Sequence, residues 1–133
     1  MDNINTLVGV PFVNEGRSPV LGMDCWGLTM EVFKRFGIEL PDFTVDAFAF
    51  RQIGQLVDGA IGNPAWEEVV RPVDADIPLV VLMRMHPVYI THAGVLITGG
   101  RVIHTMESAG VIISKVATLR KSIVGYYRPC SQS

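Results

Sequence analysis

The chain has 133 residues, of which 49% are hydrophobic, and it carries a formal net charge of -2 at pH 7. This length and composition supply enough apolar side chains for the core of one compact domain. The weak negative charge, without a basic stripe or an Arg-rich helix, argues against a nucleic-acid partner. The longest apolar run, residues 77–83, is much too short to span a bilayer, so no membrane partner is expected.

The first five residues are polar and lack the basic and apolar regions of a secretory signal. We therefore expect the protein to be cytoplasmic when made, with Cys25 and Cys130 both reduced. Cys130 lies in a polar tail and is interpreted as an incidental thiol.

The first predicted helix starts at a cysteine. Between Cys25 and Phe36 the apolar residues recur at the spacing of one buried helical face, with Asp24 as the predicted N-cap and Gly37 as the stop. Cys25 would lie in the first turn, where unpaired N–H groups and the helix dipole favour the nucleophilic thiolate. The alternative is that Cys25 is only a small buried apolar residue.

The rest of the chain is predicted to be richer in strands. A second helix is predicted between Thr44 and Val57, followed by a loop region with a short strand at Trp66–Val70. Residues 78–83 read as a buried central strand, and residues 111–113 and 122–127 as two further strands. A helical first half and a strand-rich second half predict an α+β fold.

Two β-rich segments, which contain His92 and His104, flank the sequence Thr98-Gly99-Gly100 and predict a hairpin. A two-residue turn would place the two histidines on opposite faces. A three-residue loop would place them on one face as diagonal neighbours, and we predict this loop. One ring could then hold the tautomer of the other, as the base and its orienting group do beside a nucleophilic thiol.

Short motifs occur along the chain in a characteristic order. They are Gly9-Val10-Pro11-Phe12-Val13, Gly16-Arg17-Ser18-Pro19, Asp24-Cys25-Trp26-Gly27-Leu28, Phe36-Gly37-Ile38-Glu39-Leu40-Pro41, His92-Ala93-Gly94-Val95-Leu96 and Arg101-Val102-Ile103-His104. Together they resemble the NlpC-type cell-wall cysteine peptidases over roughly residues 7–129. The tryptophan after the cysteine, the single-domain length and the ending Gly125-Tyr126-Tyr127-Arg128-Pro129 are most similar to the branch encoded with bacteriophage tails.

The resemblance implies a papain-like single domain over residues 1–133, with N-terminal helices packed on a C-terminal antiparallel β-sheet. It implies Cys25 as nucleophile, His92 as general base and acid, His104 as the orienter of His92, and no cofactor or metal. The implied substrate is the peptide stem of bacterial peptidoglycan, typically cut between D-glutamate and a diamino acid. The phage branch implies other tail proteins as partners and a final place in the virion tail.

Four more residues are expected at the oxyanion or substrate site: Asp24, Trp26, Phe12 and Arg17. Many family members have Tyr where this chain has Phe12, and phenylalanine cannot donate a hydrogen bond. Most cellular members have Ser after the nucleophile, whereas Trp26 is expected to bring an indole to the mouth of the site. Arg17 is a groove candidate whose alternative is a solvated loop charge. Asp24 is first a helix cap, and its carboxylate would oppose thiolate formation.

Two other classes of function remain open. The first is a non-enzymatic or partner-activated structural component of a phage tail that retains the fold. The second is a zinc site, because Cys25, His92 and His104 offer one thiolate and two imidazoles, although no ligand pair has the close spacing of zinc motifs. The third histidine, His86, precedes a proline and is interpreted as an exposed loop residue.

Overall fold

The computed structural model describes residues 4–40, 66–73, 76–84 and 92–129. The helix predicted for Thr44–Val57, together with His86 and Cys130, lies outside the described residues. The described elements are a 3-10 helix (Ile4–Leu7), β1 (Arg17–Ser18), β2 (Gly22–Met23), α1 (Cys25–Arg35), β3 (Trp66–Glu68), β4 (Leu79–Met83), β5 (His92–Ile97), β6 (Arg101–Met106), β7 (Gly110–Lys115), α2 (Val116–Leu119) and β8 (Ile123–Pro129).

Six strands form one antiparallel sheet in the order β3-β8-β4-β5-β6-β7, and β1 and β2 form a separate hairpin before α1. The predicted α+β class is confirmed, with an N-terminal helix packed on a C-terminal antiparallel sheet. The strands predicted from the sequence all exist, and their ends differ from the predicted ends by at most two residues. The predicted central strand is β4, which is buried along its whole length between β8 and β5.

The sheet has an apolar layer on each face because side chains alternate along its strands. On one face, Leu28, Val32 and Phe33 of α1 pack with sheet residues such as Val95 and Ile103. On the other face, a smaller cluster is covered in part by α2; its members are Leu79, Val81, Met83, Leu96 and Val102, packed with Val116 and Leu119. Coverage on both sides explains why β4 is apolar at every position.

Helix α1 begins and ends where the sequence predicts. The Asp24 side chain accepts the Gly27 N–H at 2.8 Å, which is the N-cap bond. At the other end, the Gly37 N–H donates to the Lys34 carbonyl at 2.9 Å, and Gly37 has a φ of 83°. Local signals at both ends therefore define this helix. No helix in the described part of the chain is long and apolar enough to cross a membrane.

The β5–β6 hairpin has the predicted three-residue loop. Val95 pairs with Ile103, and the last pair before the loop is Ile97 with Arg101, which leaves residues 98–100 as the connection. Gly99 and Gly100 have φ values of 82° and 65°, a region in which glycine is not strained. This register places His92 and His104 on one face of the sheet, as predicted.

Candidate active site

His92 and His104 form a hydrogen-bonded pair. Their Nε2 and Nδ1 atoms, respectively, lie 3.0 Å apart, and the two ring planes meet at 73°. His92 is the first residue of β5 and is 8% exposed, while His104 on β6 is 2% exposed. The bond occupies Nε2 of His92, so Nδ1 is the ring nitrogen left to act on another group.

The pair continues to a residue that sequence reasoning missed. His104 Nε2 lies 2.9 Å from the Ser114 hydroxyl on the neighbouring strand β7. In the β6–β7 register His104 faces Ile112 and Val102 faces Ser114, so Ser114 is a diagonal neighbour of His104. Only the strand register could have revealed this contact, because a serine in an apolar strand carries no signal by itself.

Cys25 is at the helix start, as predicted, and its side chain reaches the strand that carries His92. The sulfur accepts the backbone N–H groups of Trp26 and Ala93, and Ala93 directly follows His92 on β5. Cys25 is a free cysteine and is only 6% exposed. The structure therefore brings the thiol to the end of β5 where His92 begins.

Burial controls the protonation of the cysteine and of the histidine. Desolvation, reinforced by the Asp24 carboxylate, raises the pKa of Cys25 to about 12, although the two N–H groups at the sulfur oppose this rise. Desolvation, together with His104, lowers the pKa of His92 to about 3, and desolvation also lowers the pKa of His104. Burial thus favours the neutral thiol of Cys25 and the neutral imidazoles of His92 and His104.

The expectation that the helix start would favour a resting thiolate is wrong. The Trp26 N–H in the first turn does lower the pKa of Cys25, but the cost of burying a charged thiolate outweighs it. The predicted opposition by Asp24 is confirmed, since its carboxylate raises the pKa of Cys25.

Asp24 organises the segment before the helix. It is 1% exposed, and its carboxylate accepts the N–H groups of Gly27 and Glu15 and pairs with the Arg17 guanidinium at 2.7 Å. Burial raises the pKa of Asp24, and these bonds lower it in part. Arg17 also donates to the Gly16 carbonyl, so it is tied to the helix start and is not a freely solvated charge. These contacts give Asp24 and Arg17 a structural role next to Cys25.

Trp26 and Phe12 differ in their placement. The prediction that Trp26 lies at the mouth of the site is wrong, because its side chain is 1% exposed and belongs to the core between α1 and the sheet. One residue along a helix turns a side chain by about 100°, so Trp26 and Cys25 leave the helix axis in different directions. Phe12 is partly buried and forms a parallel bridge with Met23, just before the helix.

The donor atoms do not converge as metal ligands do. His92 and His104 direct ring nitrogens at each other, and the second nitrogen of His104 is directed at Ser114. Within residues 4–40, 66–73, 76–84 and 92–129, no group of three or more His, Cys, Asp or Glu side chains could hold a metal ion. The geometry therefore offers no support for the zinc alternative.

A cysteine at a helix start, placed against a strand that begins with one histidine of a bonded pair, defines a candidate thiol hydrolase. The NlpC/P60 family model matches residues 9–125. The gamma-DL-glutamyl hydrolase of Bacillus subtilis (strain 168) is 31% identical over 108 residues, which is 80% of this chain and 22% of that protein. The chain belongs to the NlpC/P60 family, and it spans about a fifth of the length of this curated relative.

Solved structures show the same fold. A lipoprotein-like member of the NLP/P60 family from Staphylococcus aureus subsp. aureus Mu50 has a TM-score of 0.63 and 20% identity, over 97% of this chain and 39% of that one. The NlpC/p60 domain of the peptidoglycan hydrolase SagA has a TM-score of 0.60 and 19% identity, over 94% and 92%. NlpC2 from Trichomonas vaginalis has a TM-score of 0.62 and 17% identity, over 96% and 44%. The resemblance to the NlpC family is confirmed, and this family includes peptidoglycan hydrolases.

Proposed function

We propose that the protein is a cysteine peptidase that hydrolyses peptide bonds in peptidoglycan stem peptides, at bonds of the D-glutamyl–diamino acid type. The observation that carries the proposal is the hydrogen bond between His92 and His104. Ala93, the residue after His92 on β5, contacts the Cys25 sulfur through its backbone N–H. Cys25 is the nucleophile, His92 the general base and acid, and His104 the orienter of His92. Membership of the NlpC/P60 family supports the same assignment.

The reaction starts from the neutral pair. Because burial favours the uncharged thiol and the uncharged imidazole, Cys25 loses its proton as the sulfur attacks the scissile carbonyl. His92 accepts that proton at Nδ1, while its Nε2–H remains bonded to His104 Nδ1. The imidazolium formed on His92 is stabilised by this bond, which becomes charge-assisted.

The later steps use the same residues. The oxyanion of the tetrahedral intermediate forms beside the helix start, where the Cys25 backbone N–H is the proposed donor. His92 then transfers its proton to the leaving amine, and the carbonyl carbon stays bound to sulfur as a thioester. Water hydrolyses the thioester with His92 as base, which returns the thiol.

The proposed bond type draws on two relatives by their names. One is a gamma-DL-glutamyl hydrolase and the other is the peptidoglycan hydrolase SagA. Hydrolysis of a gamma-DL-glutamyl bond is the chemistry that the first name states. No nucleic acid or cofactor takes part in the proposed reaction.

The experiment is a digestion of purified peptidoglycan from several bacterial types, with released peptides identified by mass spectrometry. Wild type and Cys25→Ala are compared, and Cys130→Ala serves as the matched control because it removes the other cysteine. We expect fragments from wild type and Cys130→Ala and none from Cys25→Ala. Equal release by folded Cys25→Ala would contradict the proposal.

A second candidate is a partner-activated component of a phage tail. It is favoured by the low exposure of Cys25, His92 and His104, which leaves little of the site open to a polymer in the isolated chain. Activation would require a tail partner that increases the exposure of these three residues. Association with the virion tail is tested by mass spectrometry of purified particles, and its absence from them would remove this candidate.

A further inference from the structure

The hydrogen bonds that link His92 to His104 continue to the hydroxyl of Ser114. We propose that Ser114 is a positioning residue: its hydroxyl accepts the His104 Nε2–H and so holds both imidazoles in the tautomers that leave His92 Nδ1 free to accept a proton. The role of Ser114 in fixing the two tautomers depends only on the observed hydrogen bonds. The consequence for turnover rests on the proposed peptidase function.

The proton positions along the pair are coupled. Only one proton can occupy the 3.0 Å contact between His92 Nε2 and His104 Nδ1. If His92 supplies it, a neutral His92 has a bare Nδ1, and a neutral His104 must carry its proton on Nε2. If His104 supplies it, the proton of a neutral His92 lies on Nδ1, and His92 cannot act as a base. The presence or absence of a proton on His104 Nε2 therefore shows which ring nitrogen of His92 is protonated.

Ser114 lies at that outer nitrogen. Its oxygen is 2.9 Å from His104 Nε2, a distance normal for a hydrogen bond. His104 is 2% exposed, so an Nε2–H without an acceptor would carry the cost of an unsatisfied buried donor. Ser114 is only partly buried, so water can receive its own hydroxyl proton. These conditions favour Ser114 as the acceptor.

The proposed reaction strengthens this requirement. When His92 becomes an imidazolium it donates through Nε2, which obliges His104 to accept at Nδ1 and to carry its proton on Nε2. Hydrogen bonds in such a chain polarise one another, so the acceptor at the far end stabilises the charge on His92. Ser114 acts through His104 and does not touch the substrate.

The test uses two variants with nearly the same shape. Ser114→Thr keeps a hydroxyl, Ser114→Val replaces that hydroxyl with a methyl group, and both side chains suit a β-strand. Thr105→Val is the control: Thr105 lies next to His104 on β6, is fully buried, and its hydroxyl has no hydrogen-bond partner among the described residues. Removing that hydroxyl deletes no hydrogen bond within the described part of the chain.

The first measurement is 15N NMR of histidine-labelled protein, which distinguishes protonated from bare ring nitrogens without any substrate. The chain has three histidines, so His86→Gln, His92→Gln and His104→Gln assign the signals. We expect a bare Nδ1 and a protonated Nε2 on His104 in wild type, Ser114→Thr and Thr105→Val. In Ser114→Val we expect a mixture of tautomers on His104 and His92.

The second measurement is kcat/KM on a peptidoglycan fragment that contains the bond found to be cut in the digestion experiment. We expect a loss of about tenfold for Ser114→Val, and values within about threefold of wild type for Ser114→Thr and Thr105→Val, the range set by one net hydrogen bond. Thermal unfolding of each variant separates this effect from a loss of folding. A purely structural Ser114 would leave the tautomers unchanged.

The outcomes separate this inference from the proposed function. A wild-type His104 protonated on Nδ1, or identical tautomers in folded Ser114→Thr and Ser114→Val, would overturn the role of Ser114. If wild type releases no peptides but the tautomers shift as expected, the proposed function fails and the positioning by Ser114 stands. If wild type is active and Ser114→Val retains its full kcat/KM, Ser114 does not assist turnover.

Discussion

Gly94 lies beside His104 across the β5–β6 hairpin, and a Cβ atom at Gly94 would lie only 2.9 Å from His104 Cβ. It would also lie 2.9 Å from the Ile103 carbonyl oxygen, which cannot move without disturbing the ladder. The missing side chain at position 94 therefore makes room for His104 in the position where it bonds His92.

Gly94→Ala tests this relationship. The added methyl group should displace His104, lengthen its bond with His92, and lower kcat/KM by about tenfold or more, alongside a stability loss of about 1–3 kcal/mol from overpacking. Gly125→Ala is the control, because a Cβ there would lie 3.0 Å from the Tyr127 ring on β8, and β4 separates β8 from the strand of His92. Full activity of Gly94→Ala would show that activity does not depend on the space that Gly94 leaves for His104.

Asp24→Asn should make Cys25 more reactive. The variant keeps an oxygen that can cap Gly27 but removes the charge that raises the pKa of Cys25, and it leaves Arg17, which lowers that pKa, unopposed. We expect iodoacetamide to label Cys25 several-fold faster at about pH 8, because labelling follows the thiolate fraction.

The labelling is measured by mass spectrometry in a Cys130→Ser background. Glu67→Gln is the matched control, since it removes a surface carboxylate that pairs with Arg128 on the far edge of the sheet. A rate for Asp24→Asn at or below that of wild type would show that the Asp24 charge does not oppose the thiolate.

Acid should destabilise the protein through the buried histidines. The pKa of His92 falls from an ordinary 6.5 to about 3 on folding, so below pH 6.5 the unfolded chain binds a proton that the folded chain excludes. The stabilisation that depends on a neutral His92 is therefore fully present above about pH 6.5. It declines as the pH falls toward 3, by up to about 1.4 kcal/mol per pH unit for each such imidazole. The lowered pKa of His104 acts in the same direction.

The measurement is urea unfolding at about pH 7.5, 6 and 5 for wild type and His92→Gln. The variant removes one of the titrating groups, so its stability should fall less steeply with acid. Parallel pH profiles for the two proteins would mean that His92 is not held neutral by burial.

Trp26→Phe should affect folding more than catalysis. The indole is fully buried in the core, so its truncation should cost about 1–3 kcal/mol through the cavity that it leaves. We expect KM for the peptidoglycan fragment to remain within about twofold, because only 1% of the Trp26 side chain is exposed. Chemical unfolding and steady-state kinetics check this prediction. A large change in KM with unchanged stability would show that Trp26 does contribute to substrate binding.

Much of the local structure could be predicted from the sequence. Asp24 and Gly37 mark the ends of α1 because caps act within one turn of the chain. Given a three-residue loop, parity places His92 and His104 on one face, and the sequence favoured that loop over a two-residue turn. The strands could be predicted because runs of apolar β-branched residues suit the pleated, half-buried surface of a sheet.

Other features depend on segments that are distant in sequence. Ser114 meets His104 only through the β6–β7 register, and the contact of Cys25 with Ala93 requires α1 to pack on the sheet. Trp26 enters the core because that same packing covers its side of the helix.

The amino-acid sequence by itself determined the helix ends, the hairpin loop and the residue types of the candidate site, since each depends on neighbours along the chain. Only the tertiary structure decided the protonation of Cys25 and His92, because desolvation depends on every element that surrounds a group. It also decided which residues complete the hydrogen-bonded pair, because that depends on how strands far apart in the sequence align.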